Sequence, residues 1–120
     1  MTTILVVEDT ASQAEIITGT LKTAGFATLW VGSSEEAKAK IEQQKPDAIV
    51  MDVVLPGASG FELCRELKDN PITKDIPVVL CSTKDSEMDK FWGLKQGASS
   101  YITKPINSDE LLRAVQLLVA

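Results

Sequence analysis

A chain of 120 residues with 44% hydrophobic side chains is long enough for about one domain with a single unstapled core. Its net charge of −5 argues against nucleic acid as a partner, and the complete lack of histidine removes that side chain from every catalytic role. No run approaches the roughly 18 apolar residues of a membrane span, and the N-terminus shows no basic, apolar leader, so a cytoplasmic place with no membrane partner is expected.

Residues 4–7 are apolar throughout and read as a first strand. Ala11, Ala14, Ile17, Thr18, Leu21 and Ala24 then recur on one helical face, with Gly25 as its C-terminal cap. Residues 27–31 form a second strand, and Ser33 with Glu36 makes a capping box for a second helix with Ala37 and Ile41 inward. Ala48, Ile49, Val50 and Met51 run into the lone carboxylate of Asp52, and Pro56 and Gly57 mark a turn just beyond. Such a run predicts a strand buried on both faces, as in a parallel sheet covered by helices.

Ser59 and Glu62 form a second box, opening a helix with Phe61, Cys64 and Leu67 inward, and Asn70 and Pro71 end it. Residues 76–81 read as a fourth strand, with Pro77 tolerated at its start. A fourth helix is expected over residues 86–96 with Gly97 past its end, a short fifth strand over 100–103, and a last helix capped by Asn107 with Glu110 and striped by Leu111, Val115, Leu118 and Val119. Cys64 and Cys81 fall inside apolar patterns and read as buried, reduced thiols. Fivefold alternation of strand and helix predicts right-handed βαβ units in an α/β doubly wound, five-stranded parallel sheet of order 2-1-3-4-5 between two helical layers. A single domain over residues 1–120, with no output domain, is expected.

In that order the first and third strands are neighbours at the switch point, where open α/β sheets bind ligands. The strand ends carry Glu8 and Asp9, then Asp52, then Ser82 and Thr83, then Lys104 followed by Pro105. Three carboxylates repel one another unless a cation joins them, and an all-oxygen set suits a hard divalent ion, with Mg²⁺ the economical choice. The set also suits phosphoryl transfer to a carboxylate: Asp52 attacks phosphorus, while the metal, Lys104 and the Ser82 hydroxyl take up the three equatorial oxygens. An ionised carboxylate is already a nucleophile and needs no general base.

The acid pair in ILVVED, the acceptor in VMDVVLPGASG, the hydroxyl in VVLCST and the lysine in YITKP resemble the response-regulator receiver domain of two-component signalling, the CheY-like family, and the match spans the chain in order. The resemblance implies a flavodoxin-like three-layer fold, Asp52 as phospho-acceptor, and a sensor histidine kinase as donor, docking around the first helix and the loop after the fifth strand. It implies Mg²⁺ held by Asp9, Glu8 directly or through water, Asp52 and the Val54 backbone carbonyl. Ser82 and Thr83 with Lys104 match the phosphate-binding and switch positions, the Lys104–Pro105 bond matches one that is cis in the family, and Tyr101 matches the aromatic that moves inward with the switch. Position 8 is Glu where the type member has Asp, which lengthens its reach by a methylene. Val54 and Lys84 match positions flanking the hydrolytic water. An apolar Val54 cannot bond that water and Lys84 cannot accept its proton, which predicts a long-lived phosphorylated state.

The stretch from Thr83 through Trp92, Gly93, Gln96 and Gly97 is similar to stand-alone receivers of the PilH type, from chemosensory systems of type IV pilus motility. Aromatics are favoured at interfaces, so the fourth helix, fifth strand and fifth helix are expected to dock a downstream partner through Trp92, Lys95 and Tyr101. The plainer alternative makes Phe91 and Leu94 core and Trp92 an incidental surface aromatic. Among other classes, a flavodoxin-type carrier is disfavoured because Glu8 and Asp9 would repel its phosphate. An aspartyl-phosphate phosphatase is disfavoured because position 54 is not an acid. A phosphorylation-independent adaptor on the same fold stays open as the alternative.

Overall fold

The computed structural model describes all 120 residues. Five strands, β1 (Thr3–Val7), β2 (Ala27–Val31), β3 (Ala48–Asp52), β4 (Val78–Ser82) and β5 (Ser100–Thr103), alternate with five helices, α1 (Ala11–Thr23), α2 (Ser34–Gln43), α3 (Gly60–Asp69), α4 (Glu87–Lys95) and α5 (Ser108–Val119). The sheet is wholly parallel, in the order β2-β1-β3-β4-β5.

Side chains alternate across each strand, so a strand covered on both faces must be apolar at every position. Leu5, Val7, Ile49, Met51, Val78 and Leu80 pack on one face with Ala37, Ile41, Leu63, Cys64 and Leu67 of α2 and α3. Ile4, Val6, Ala48, Val50, Val79 and Cys81 pack on the other with Ile17 and Leu21 of α1 and Leu111 and Val115 of α5. At about 1.5–3 kcal/mol for each fully buried aliphatic side chain, these two clusters dominate the stabilising side of the fold. Both cysteines are free and buried, and burial pushes the Cys64 thiol up to about 11 and the Cys81 thiol to about 12.

Four differences from the sequence expectation have local causes. β4 starts at Val78 rather than at residue 76, because the Ile76 N–H donates to the Thr73 carbonyl in the preceding turn and Pro77 has no N–H for the sheet. Ala11 and Ala24 lie exposed at the two ends of α1, whose buried residues are Ala14, Ile17 and Leu21. In α3, Leu63 joins Cys64 and Leu67 inside, leaving Phe61 only half-buried.

The fourth concerns caps. Ser33, Ser59 and Asn107 each accept the expected N–H through the side chain, but the reciprocal bond of a complete capping box forms only in α4, between Ser86 and Asp89. Glu36 reaches instead to the N–H of Gly32. Gly25, as expected, takes a positive φ of 94° just past the end of α1, where a side chain would be strained.

The register aligns the functional strand ends. Val7 pairs with Met51, Asp52 with Cys81, and Ser82 with Thr103, so Glu8, Asp52, Ser82 and Lys104 leave the sheet along one edge.

Candidate functional site

Asp52 is the last residue of β3, held where the chain turns sharply into the loop before α3. One carboxylate oxygen, Oδ1, accepts the Val54 N–H at 3.2 Å, and Oδ2 accepts the Lys104 ammonium at 3.1 Å. Gly60 starts α3 hard against this strand end: its N–H donates to the Val53 carbonyl, and a Cβ there would stand 2.2 Å from the Asp52 carbonyl oxygen. Only glycine permits that approach.

Glu8 is the most deeply committed acid. Its side chain is 1% exposed; Oε1 accepts the Lys104 ammonium at 2.5 Å and Oε2 accepts the Thr10 N–H at 3.1 Å. Its backbone carbonyl accepts the Trp30 indole N–H at 2.7 Å, tying the acid pair to the edge strand β2. Asp9 is exposed and accepts no hydrogen bond from the protein. One carboxylate oxygen from each of Glu8, Asp9 and Asp52 lies within 4.8 Å of the others.

Lys104 is the counter-charge at the centre of the set, its side chain only 10% exposed. Burial alone would lower its pKa, but hydrogen bonds to Glu8 and then Asp52 outweigh that cost and hold the ammonium above its ordinary value. Its N–H donates to the Ser82 carbonyl, and the Lys104–Pro105 bond is cis, as the resemblance implies. One ammonium among three carboxylates leaves a formal charge of −2, which a divalent cation balances. The donors are all oxygen and close enough to share one ion, so the site fits Mg²⁺, with Asp9 as its freest carboxylate.

Ser82 is buried, and its Oγ accepts the Lys84 N–H at 3.1 Å. The Lys84 carbonyl in turn accepts the Tyr101 hydroxyl at 2.7 Å, and the Tyr101 ring lies against Gly93 of α4, where a Cβ would come within 2.7 Å of it. Thr83 is exposed and borders a shallow concavity of about 340 Å³ with Gln13, Lys104 and Pro105. Val54 and Lys84 are both exposed.

The expected partner residues do not share one face. Trp92 and Lys95 border a groove against α3, lined also by Arg65 and Lys68, whereas Tyr101 packs under α4. Phe91 and Leu94 are not core: they are 59% and 50% exposed, beside a Trp92 that is 47% exposed, and Gly93 alone is buried in that helix. Sequence reasoning missed Thr10, Trp30 and Gly60, and the packing of Tyr101 on Gly93. Trp30 is half-exposed, and nothing in the local pattern there says that its indole N–H reaches a carbonyl 22 residues earlier.

A doubly wound sheet whose switch-point edge presents an acid pair, a strand-end aspartate, a hydroxyl and a lysine defines a receiver domain. The profile of the family described as response regulator receiver domain matches residues 4–116, and the chain belongs to that family. Over its full length it is 38% identical to the protein PilH of Pseudomonas aeruginosa, covering 99% of that protein. It is also 41% identical over 117 residues to the phosphate regulon transcriptional regulatory protein PhoB of the same organism, of whose length it spans about half, 51%. Among solved structures it is similar to a response regulator from Chloroflexus aurantiacus (TM-score 0.95, 33% identity, 98% of this chain and 97% of that one). The chemotaxis response regulator CheY4 of Vibrio cholerae is also similar (TM-score 0.90, 30% identity, 98% of each chain). No helix is long and apolar enough to cross a membrane.

Proposed function

We propose that this receiver takes a phosphoryl group from a sensor histidine kinase onto Asp52 and passes the signal to a protein partner as a shift in conformation. The observation that carries the reading is the ammonium of Lys104 shared by Glu8 and Asp52, at 2.5 and 3.1 Å, with Asp9 open beside them. An Asp52 carboxylate oxygen forms the new bond to phosphorus as the bond from phosphorus to the donor's imidazole nitrogen breaks, and the imidazole leaves with that electron pair. Lys104, already within reach of Asp52, neutralises one phosphoryl oxygen. Ser82 turns its hydroxyl to a second. Asp9, Asp52 and the Val54 carbonyl, with Glu8 directly or through water, would hold Mg²⁺, which would supply charge neutralisation at a third.

Output follows from the hydrogen-bonded path behind the site. Ser82 bonds Lys84, Lys84 bonds Tyr101, and Tyr101 packs on Gly93 of α4, so a Ser82 drawn toward phosphate alters the support beneath α4. Phosphate thereby favours one of two pre-existing arrangements of the face built from α4, β5 and α5, and the partner that prefers that arrangement reads the signal. The similarity to PilH over that protein's length supports a role in chemosensory control of type IV pilus motility.

Incubation with Mg²⁺ and acetyl phosphate, read by intact mass, tests the proposal. A gain of one phosphoryl group, lost on metal removal and absent in Asp52→Asn, is expected. No gain under any donor, combined with unchanged partner binding, would make the chain a phosphorylation-independent adaptor.

A further inference from the structure

The flank between α3 and α4 carries a groove that the phosphoryl site does not use. About 410 Å³ of open space is bordered by Arg65, Lys68 and Asp69 on one side and by Trp92, Lys95 and Gly97 on the other. Its walls are fixed before any ligand arrives. Gly97 has a φ of 103°, and a Cβ there would stand 2.6 Å from Lys68 Cγ, so the lysine stem lies directly over the glycine. The Lys68 ammonium donates to the carbonyls of Lys74 and Ile76, and the Cys64 thiol donates to the Gln96 carbonyl at 3.6 Å, joining the end of α4 to α3.

The charge of this groove opposes that of the molecule. The chain carries −5 overall, yet three of its 12 basic side chains meet here with Asp69 as the lone offset. None of the three makes an ion pair; the ion pairs of the chain are Lys38 with Glu66, and Lys104 with Glu8 and Asp52. Trp92 adds a half-exposed aromatic surface to the same groove. The Lys68 ammonium is spent on its two carbonyls, which leaves Arg65 and Lys95, the latter 5.7 Å from the centre of the Phe91 ring, as the cations open to a ligand. Two cations free of any carboxylate beside an exposed indole are an arrangement that recognises carboxylates flanking an apolar side chain.

We infer that this groove docks a short acidic segment of a protein partner, its apolar residue against Trp92 and its carboxylates on Arg65 and Lys95. The screening length of about 10 Å at 0.1 M salt decides the class of ligand. A few carboxylates within that range feel the local cations. A long polyanion such as a nucleic acid also meets the rest of a chain whose overall charge is −5, and so does a second copy of this chain. The surface lies on the α3 side of α4, and the inference does not depend on phosphorylation of Asp52.

The test is a titration of the isotope-labelled full chain, followed by amide and indole NMR shifts, with a short synthetic peptide in which glutamates flank a phenylalanine. Its lysine-for-glutamate counterpart and a single-stranded oligonucleotide are run in parallel. The acidic peptide should shift the Trp92 indole and the amides of Lys95 and Gly97, and salt should weaken it. Both positions are exposed and make no ion pair, so Arg65→Glu with Lys95→Glu should fold normally, checked by the rest of the spectrum, and lose at least about tenfold in affinity. Trp92→Ala should weaken the same peptide. The inference is overturned if the acidic peptide moves nothing, if the lysine peptide or the oligonucleotide binds the groove equally well, or if the groove signals shift only with protein concentration.

Discussion

Lys104 holds two carboxylates at once, and one of them, on Glu8, is almost wholly removed from water. Replacing the ammonium by an apolar side chain, Lys104→Met, leaves the buried Glu8 carboxylate with the Thr10 N–H alone. The expected loss is about 2–4 kcal/mol, toward the low side for a buried pair because Lys104 sits at the rim. Urea unfolding measures it, and the double variant with Glu8→Leu should recover most of the loss because no unpaired charge then stays buried.

The pH dependence has a definite sign. The Lys104 pKa is raised above its ordinary 10.5, so the stability it contributes is complete below that value and lost as pH rises through the folded one. The thiols act in the same direction. From an ordinary 9.0 they rise to about 11 for Cys64 and about 12 for Cys81, so the unfolded chain ionises first and stability falls between pH 9 and 12. Denaturation midpoints measured across this range should decline from about pH 9, and Cys64→Ala should decline less steeply. On the proposed phosphorylation of Asp52, an apolar Val54 would offer no side-chain bond to an attacking water, so Val54→Asn should lose phosphate several-fold faster than the wild type in a time course of intact mass.

At the scale of elements, two glycines decide where the functional groups sit. Gly60→Ala places a methyl carbon against backbone, 2.2 Å from the Asp52 carbonyl oxygen and 2.9 Å from Val53 Cα, and backbone there cannot yield without moving Asp52. This variant should fold poorly and lose phosphorylation together. Gly93→Ala meets the Tyr101 ring instead, which can turn. A cost of about 1–3 kcal/mol is expected, with the Tyr101 hydroxyl released from Lys84; the chain has one tyrosine, so its NMR signals report the change directly.

The strand and helix alternation was legible because strands buried on both faces are apolar at every position and cannot be confused with solvated loops. α4 was harder. Phe91 and Leu94 have the spacing of a core face, but Gly93 alone is buried there, and bringing the helix close to Tyr101 on a residue without a side chain leaves the large apolar groups outside. No periodicity reveals which flank Trp92 faces. The site residues Asp52, Asp9, Ser82 and Lys104 were legible from their place at strand ends. Glu8's bond to Lys104 and its tie to Trp30 were not, since both depend on side-chain reach across elements far apart in sequence.

For the molecule as a whole, the sheet works as a rigid plate whose one edge gathers charge and whose two faces carry the core. Asp52 and Lys104 are fixed by that plate, while the residues joining Ser82 to α4 lie in a loop and a short, largely exposed helix. Less burial means less stability against local rearrangement, so a phosphoryl group at the edge should move α4 and leave both cores as they are. Hydrogen exchange with and without phosphorylation should change between residues 82 and 104 and stay constant in β1 and β3.

The central claim is that Asp52 carries the phosphoryl group, and chemical trapping addresses it at residue level. After treatment with Mg²⁺ and acetyl phosphate, borohydride reduces an aspartyl phosphate to homoserine, and peptide sequencing by mass spectrometry locates it. Homoserine at position 52, and at no other acid, is the predicted result. Homoserine at position 9, or at no position while the chain is folded and metal-loaded, would contradict the account.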